Sequence, residues 1–225
     1  MRKIEQQILC TVKRTIGLCF LVFFIYGCKS DHNNVAFYVN DEPVSVSEME
    51  FWMSLSKAEV ANYFYREYGM QYSDDFWNKE FDHKSPGGML KDRALEKLVN
   101  CKVQQIFARD LGIIEKIGFD ELMAEIDSFN EQRKMKLARG EAIYGPQQFT
   151  PLMYFNHVFD KMVYDVKQHL LNSCLLTDTL TANLATNGGH VAWKEKSGFM
   201  QMQYIDQKYE QLVAEMVRAS ELSTD

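Results

Sequence analysis

Proline is scarce, with four in 225 residues, and each stands where a chain turns or a helix begins. Pro43 ends the polar run Asn40-Asp41-Glu42, Pro146 follows Gly145, and Pro86 and Pro151 follow Ser85 and Thr150. Proline breaks helix interiors, so the apolar-periodic stretches between these points are free to be helical. Metal-ligand spacing is missing as well. His32, His83, His157, His169 and His190 have no His, Cys or carboxylate placed as zinc sites require. There is no Gly-x-Ser-x-Gly elbow. Gly87-Gly88 and Gly188-Gly189 read as turn glycines rather than phosphate loops. Asp74-Asp75 and Glu121/Glu125 read as a helix start and a solvated face. No cofactor and no metal are expected, and no catalytic residue is assigned.

Positive charge is in deficit, with 25 Lys and Arg against 31 Asp and Glu. A nucleic-acid binder needs a basic face, so that class is excluded. A run of about 20 apolar residues, the length that spans a bilayer, is also missing. The uncharged stretch Thr15 to Tyr26 is shorter and follows Arg2, Lys3, Lys13 and Arg14, which is the layout of a secretory signal. Ile25-Tyr26-Gly27-Cys28 resembles the bacterial lipobox, in which the cysteine is lipidated and becomes the first mature residue. Tyr26 is bulkier than that motif usually allows, and an uncleaved anchor or an ordinary signal peptide are the alternatives. The expectation is a signal peptide over 1–27, lipid on Cys28, a tether over 28–34 and an extracytoplasmic domain held at a membrane. Cleavage before Cys28 would leave 21 of the 25 basic and 30 of the 31 acidic residues, a net charge of −9.

About 200 residues then remain to bury a core. Cys101 and Cys174 are the cysteines left for it. Both fall in helical patterns and read as buried free thiols, with a disulfide between them as the alternative. Val35 to Val39 and Val44 to Val46, with turn chemistry between them, predict a hairpin. Ser47, three residues before Glu50, has capping-box spacing and predicts a helix to about Tyr68, stopped by Gly69. A short helix is expected over Ser73 to Asn78. Ser85-Pro86 opens another to Gly112, a further one covers Phe119 to Ala138, and Thr150-Pro151 opens a long one. A weaker helix starts at Thr177 or Asp178. Phe199 to Tyr204 alternates apolar residues with Gln, a strand pattern, and a strand near Phe199–Gln203 is expected to pair with Val35–Val39. A last helix follows from Ile205, with a polar tail over 221–225.

Several blocks carry a family likeness. Val39-Asn40-Asp41-Glu42-Pro43-Val44 ahead of a capped helix resembles the opening of the SurA/PrsA extracytoplasmic foldases. So do Phe76-Trp77, the run Met89 to Leu98, and Lys102-Val103-Gln104-Gln105. Ile143 to Thr150 with its aromatic helix, and Tyr204 to Tyr209, continue the match in order. The resemblance implies a mainly α, irregular helical bundle of the SurA/PrsA N-terminal chaperone type, with a small β element joining N- and C-terminal strands. Many members insert a parvulin prolyl-isomerase domain before the C-terminal segment. The stretch between Ser173 and Phe199 is far too short to hold one, so the likeness implies the chaperone portion of a peptidylprolyl isomerase family without the isomerase.

The implied function is ATP-independent binding of unfolded exported polypeptides. The alternative is an accessory lipoprotein that holds one dedicated partner of an export or surface-assembly system. The partners would be exported chains and the membrane through Cys28, with a homodimer left open. Phe, Trp and Tyr make up 13 % of the chain. Most are expected in the core, but those of the first helix cannot all share one stripe. Trp52, Tyr63, Tyr65, Trp77 and Tyr154 are the candidates to line a peptide-binding cleft.

Overall fold

The computed structural model describes residues 34–172 and 198–224. The expected signal, the lipidation site Cys28, the helix from Thr177 or Asp178, Cys174 and His190 lie outside them. The described part is mainly helical with one small antiparallel sheet.

Strands β1 (Val35–Val39) and β2 (Glu42–Ser45) form the expected hairpin. Its loop is the two-residue Asn40-Asp41, both at positive φ (49° and 66°). That is the left-handed geometry which matches the twist of the flanking strands and favours Asn and Asp. The partner of β1 on its other edge is not the Phe199–Tyr204 segment. It is β3 (Leu222–Ser223), which gives the order β2-β1-β3. Asn40 and Glu221 complete the joint: the Asn40 N–H donates to the Glu221 carbonyl, and the Glu221 N–H donates to Asn40 Oδ1 at 2.8 Å.

Helix α1 (Val46–Tyr68) begins two residues earlier than its sequence suggests. Ser45, not Ser47, is the N-cap, accepting from the Glu48 N–H. Gly69 ends α1 at φ 65°, returning its N–H to the Phe64 and Tyr65 carbonyls, a conformation that glycine adopts without strain. Residues 73–78 form only a single 3₁₀ turn, Phe76–Asn78. Helix α2 (Pro86–Asp110) starts as expected, with Ser85 capping the Gly88 N–H and Pro86 in the first turn. The stretch expected as one helix is two, α3 (Phe119–Ala124) and α4 (Ile126–Ala138). At the break the Glu125 N–H bonds back three residues to Leu122, tightening the turn as 3₁₀ geometry does. Helix α5 (Pro151–Asn172) begins at Thr150, whose hydroxyl accepts from the Met153 N–H.

Helix α6 (Gly198–Ala219) replaces both the expected strand and the helix from Ile205. Ile205, Tyr209 and Val213 are its buried stripe, spaced four apart as one helix face requires. Tyr209 and Val213 pack on α5 through Met162, Val166 and Leu170. A second core joins the hairpin (Val39, Val44) to α1, α2, α3 and α5 through Trp52, Leu98, Val103, Phe119 and Phe155. A third closes the far end of the α1–α2 pair around Val60, Phe64, Phe76 and Leu90. Ser56 and Ala94, both wholly buried, are small residues on the buried faces of α1 and α2, which pack closely along their length.

Candidate functional site

The seam between α1 and α2 organises the surface. Glu59 of α1 accepts from Lys97 of α2 at 2.6 Å and lies 3.5 Å from Arg93, which also pairs with Glu96 at 2.9 Å. Lys97 donates to the buried Ser56 hydroxyl as well. The Lys97 hydrogen bond holds the Glu59 carboxyl below its ordinary range. Glu59 and Arg93 are shared by two depressions along this seam. One, of about 380 Å³, is lined by Val60, Tyr63, Arg66 and Met89. The other, of about 430 Å³, is lined by Trp52, Asn100, Cys101 and Val217.

A third depression lies beyond the buried stripe of α1. It measures about 600 Å³ and is lined by Met53, Trp77 and Leu90 with Lys57, Glu80 and Lys91. Gly87 belongs to its wall, and the close approach there requires glycine: a Cβ on Gly87 would stand 2.6 Å from the Trp77 carbonyl oxygen. All three depressions combine apolar surface with charged residues of both signs.

Of the aromatic candidates, two line depressions without being core. Tyr63 is half-buried against Phe64 and Tyr68 in the first depression. Trp77 is half-buried in the third, with its indole N–H donating to the Tyr72 hydroxyl. Trp52 is core, 8 % exposed and edge-on to Phe155. It reaches the second depression only through that small remainder, and its buried Nε1 has no hydrogen-bond partner among the described residues. Tyr154 is core too, 5 % exposed, with its hydroxyl donating to Glu125. Tyr65 is 60 % exposed and lines none of the three. The candidates therefore do not converge on one cleft. Helical spacing cannot distinguish the face of α1 that meets α2 from the faces beside it.

The sequence reading missed the buried ion pair beneath the hairpin. Lys102 donates to Glu48 at 2.9 Å, and their side chains are 1 % and 5 % exposed. Lys102 also faces the Ile117 carbonyl at 3.5 Å, while Ser47 on the neighbouring turn donates to Asp120. Burial pushes the Glu48 carboxyl up, with Lys102 opposing. The signal was present: Lys102 continues the apolar row Leu95, Leu98 and Val99, where a charge has no solvated place. Cys101, next to it, is a free thiol pushed up to about 12 by burial. Gln104 accepts from the buried Tyr209 hydroxyl at 2.9 Å, tying α2 to α6.

Among the described residues, no three His, Cys, Asp or Glu side chains stand together as a metal site would need. Nor is any described helix long and apolar enough to cross a membrane. Comparison with family models, with curated proteins and with solved structures returned no match.

Proposed function

We propose that this chain is a membrane-tethered, ATP-independent holder of unfolded exported polypeptides, built like the chaperone portion of the SurA/PrsA family and without isomerase activity. One observation carries the reading: the α1–α2 pair has depressions with apolar surface and charged rims on both sides of its buried stripe. Met53, Met89, Tyr63 and Trp77 supply surfaces that adapt in shape and require little hydrogen-bond geometry, as promiscuous polypeptide binding does. Charges of both signs on the rims would hold the polar backbone and flanks of a client. Binding would be weak and reversible, lowering the free concentration of aggregation-prone chain.

The test is light scattering of several unrelated unfolded proteins with the full chain in equimolar amount. The expected result is suppression for most of them, weakened in Tyr63→Ala and Trp77→Ala and unchanged in Tyr65→Ala. A prolyl-isomerisation assay on a proline peptide should be flat, and measurable turnover would overturn the non-enzymatic part. Failure to protect any client, together with one strong partner in a pull-down, would replace this reading with the dedicated adaptor.

A further inference from the structure

The corner formed by α4, the loop after it and the start of α5 differs from the rest of the molecule. Helix α4 has no buried residue. Its stretch Arg133-Lys134-Met135-Lys136-Leu137-Ala138-Arg139 contains four of the chain's 25 Lys and Arg and none of its 31 Asp and Glu. Met135, Leu137, Leu152 and Met153 are exposed here, and Tyr144 is 92 % exposed. Isolated exposed apolar residues are ordinary. Five on adjoining elements, interleaved with cations on an acidic protein, give this corner a chemical character of its own.

The corner is also held in shape. Arg133 lies over the Phe149 ring at 4.8 Å and donates to the Tyr144 carbonyl at 2.6 Å and to the Pro146 carbonyl. Asn130 clamps Phe149 through both its N–H and its carbonyl, at 2.7 and 3.0 Å. Phe129 packs on Phe149 and Tyr154. Tyr144 is thus presented on a braced loop. Lys134 pairs with Glu131 and Arg139 with Glu141, but all four side chains are about half exposed or more. Exposed pairs of this kind bind weakly, so the cations stay available to a stronger anionic surface.

We infer that this corner docks on an anionic lipid surface, with Tyr144, Met135 and Met153 entering the headgroup boundary and Lys134, Lys136 and Arg139 meeting lipid phosphates. Charge complementarity selects this occupant. The rest of the chain is strongly acidic and is repelled by the same surface, whereas this corner sets Arg133, Lys134, Lys136 and Arg139 against Asp127, Glu131 and Glu141. Tyrosine with Lys and Arg around exposed Met and Leu is the composition of an interfacial contact. The inference is independent of client binding: the depressions along α1 and α2 belong to other elements, and docking by the corner would set which way they face.

The test is oxidative footprinting of the full chain by mass spectrometry, on vesicles of phosphatidylglycerol with phosphatidylcholine and on phosphatidylcholine alone. Arg2, Lys3, Lys13 and Arg14 favour anionic vesicles in their own right, so the charge variants below, which leave residues 1–33 intact, separate their pull from that of the corner. Met135, Tyr144 and Met153 should be labelled at least about threefold less on the anionic vesicles, and about 0.5 M salt should restore labelling. Tyr65 and Tyr72, exposed on and just after α1, should not change. The triple variant K134E/K136E/R139E should lose the protection, and K134Q/K136Q should lose part of it if the reversal perturbs the fold. Equal labelling on the two vesicle types overturns the inference. So does protection by a soluble acidic unfolded polypeptide but not by vesicles, which would assign the corner to a protein partner.

Discussion

Replacing Lys102 with Met, nearly the same length without the charge, isolates the Glu48–Lys102 pair. It would leave a carboxylate in a site where its side chain is 5 % exposed. Stripping the partner from a buried ion pair costs about 3–5 kcal/mol. With a urea dependence of about 2 kcal/mol/M, the unfolding midpoint should fall by roughly 2 M. Glu48 has an escape, because it can take up a proton. Its carboxyl is already raised by burial with Lys102 opposing, and removing Lys102 raises it further. A carboxyl raised on folding binds its proton more tightly in the folded state. The stability this confers is fully present below the unfolded value of about 4.3 and is lost as pH rises toward the folded value. The cost of Lys102→Met should therefore be small near pH 4 and grow by up to about 1.4 kcal/mol per pH unit through that window. The double variant Glu48→Leu/Lys102→Met should recover most of the loss, since well-packed apolar replacements of buried pairs are often neutral or stabilising. Urea titrations at pH 4.5, 6 and 7.5, followed by circular dichroism, read all of this. A cost of Lys102→Met below about 1 kcal/mol at pH 7.5, or a double variant less stable than the single one, would refute a stabilising role for the pair.

Tyr209→Phe strands the buried Gln104 carbonyl oxygen and should cost about 1–3 kcal/mol in thermal unfolding. Gly87→Ala places a methyl 2.6 Å from the Trp77 carbonyl oxygen and should cost about 1–3 kcal/mol, with weaker client protection if the third depression binds clients. Cys101, with its thiol pushed up to about 12, should resist iodoacetamide at pH 8, where thiolate is the reactive form; mass-spectrometric alkylation at Cys101 as fast as in the denatured chain would contradict its burial.

The local punctuation of the fold was legible in the sequence. Two-residue turn chemistry at Asn40-Asp41, the caps at Ser85-Pro86 and Thr150-Pro151, and the stop at Gly69 depend on neighbours a few residues away. Errors came where two local patterns competed. Ser45 precedes Glu48 with the same spacing as Ser47 precedes Glu50. Burial decided between them, because Glu48 is drawn to Lys102 rather than to a capping box. Phe199 to Tyr204 alternates like a strand, but Met and Gln are good helix formers, and the stripe Ile205, Tyr209, Val213 continues helically back to the half-buried Met202. The short strand taken by Leu222-Ser223 has no periodicity to read. Its signal is the pairing partner nearly the whole described chain away. The candidate site was legible only as aromatic excess. Which aromatics are core depends on the side from which α2, Phe155 and Phe129 arrive, a tertiary fact.

The joint between Asn40 and Glu221 spans 181 residues, and that separation has a kinetic meaning. In a chain made or exported from its N-terminus, β1 and β2 emerge early, while the other edge of β1 cannot be covered by β3 until residue 222 arrives. At about 5–20 residues per second, that interval is about 10–40 s. An unpaired strand edge is a template for strangers. On the β2 side, Pro43 withholds an N–H from any incoming strand, but the β1 side has no such guard. The last strand therefore acts as a lock that closes late: until it arrives, the nascent chain is itself the kind of open-edged polypeptide that a holder of unfolded chains would bind.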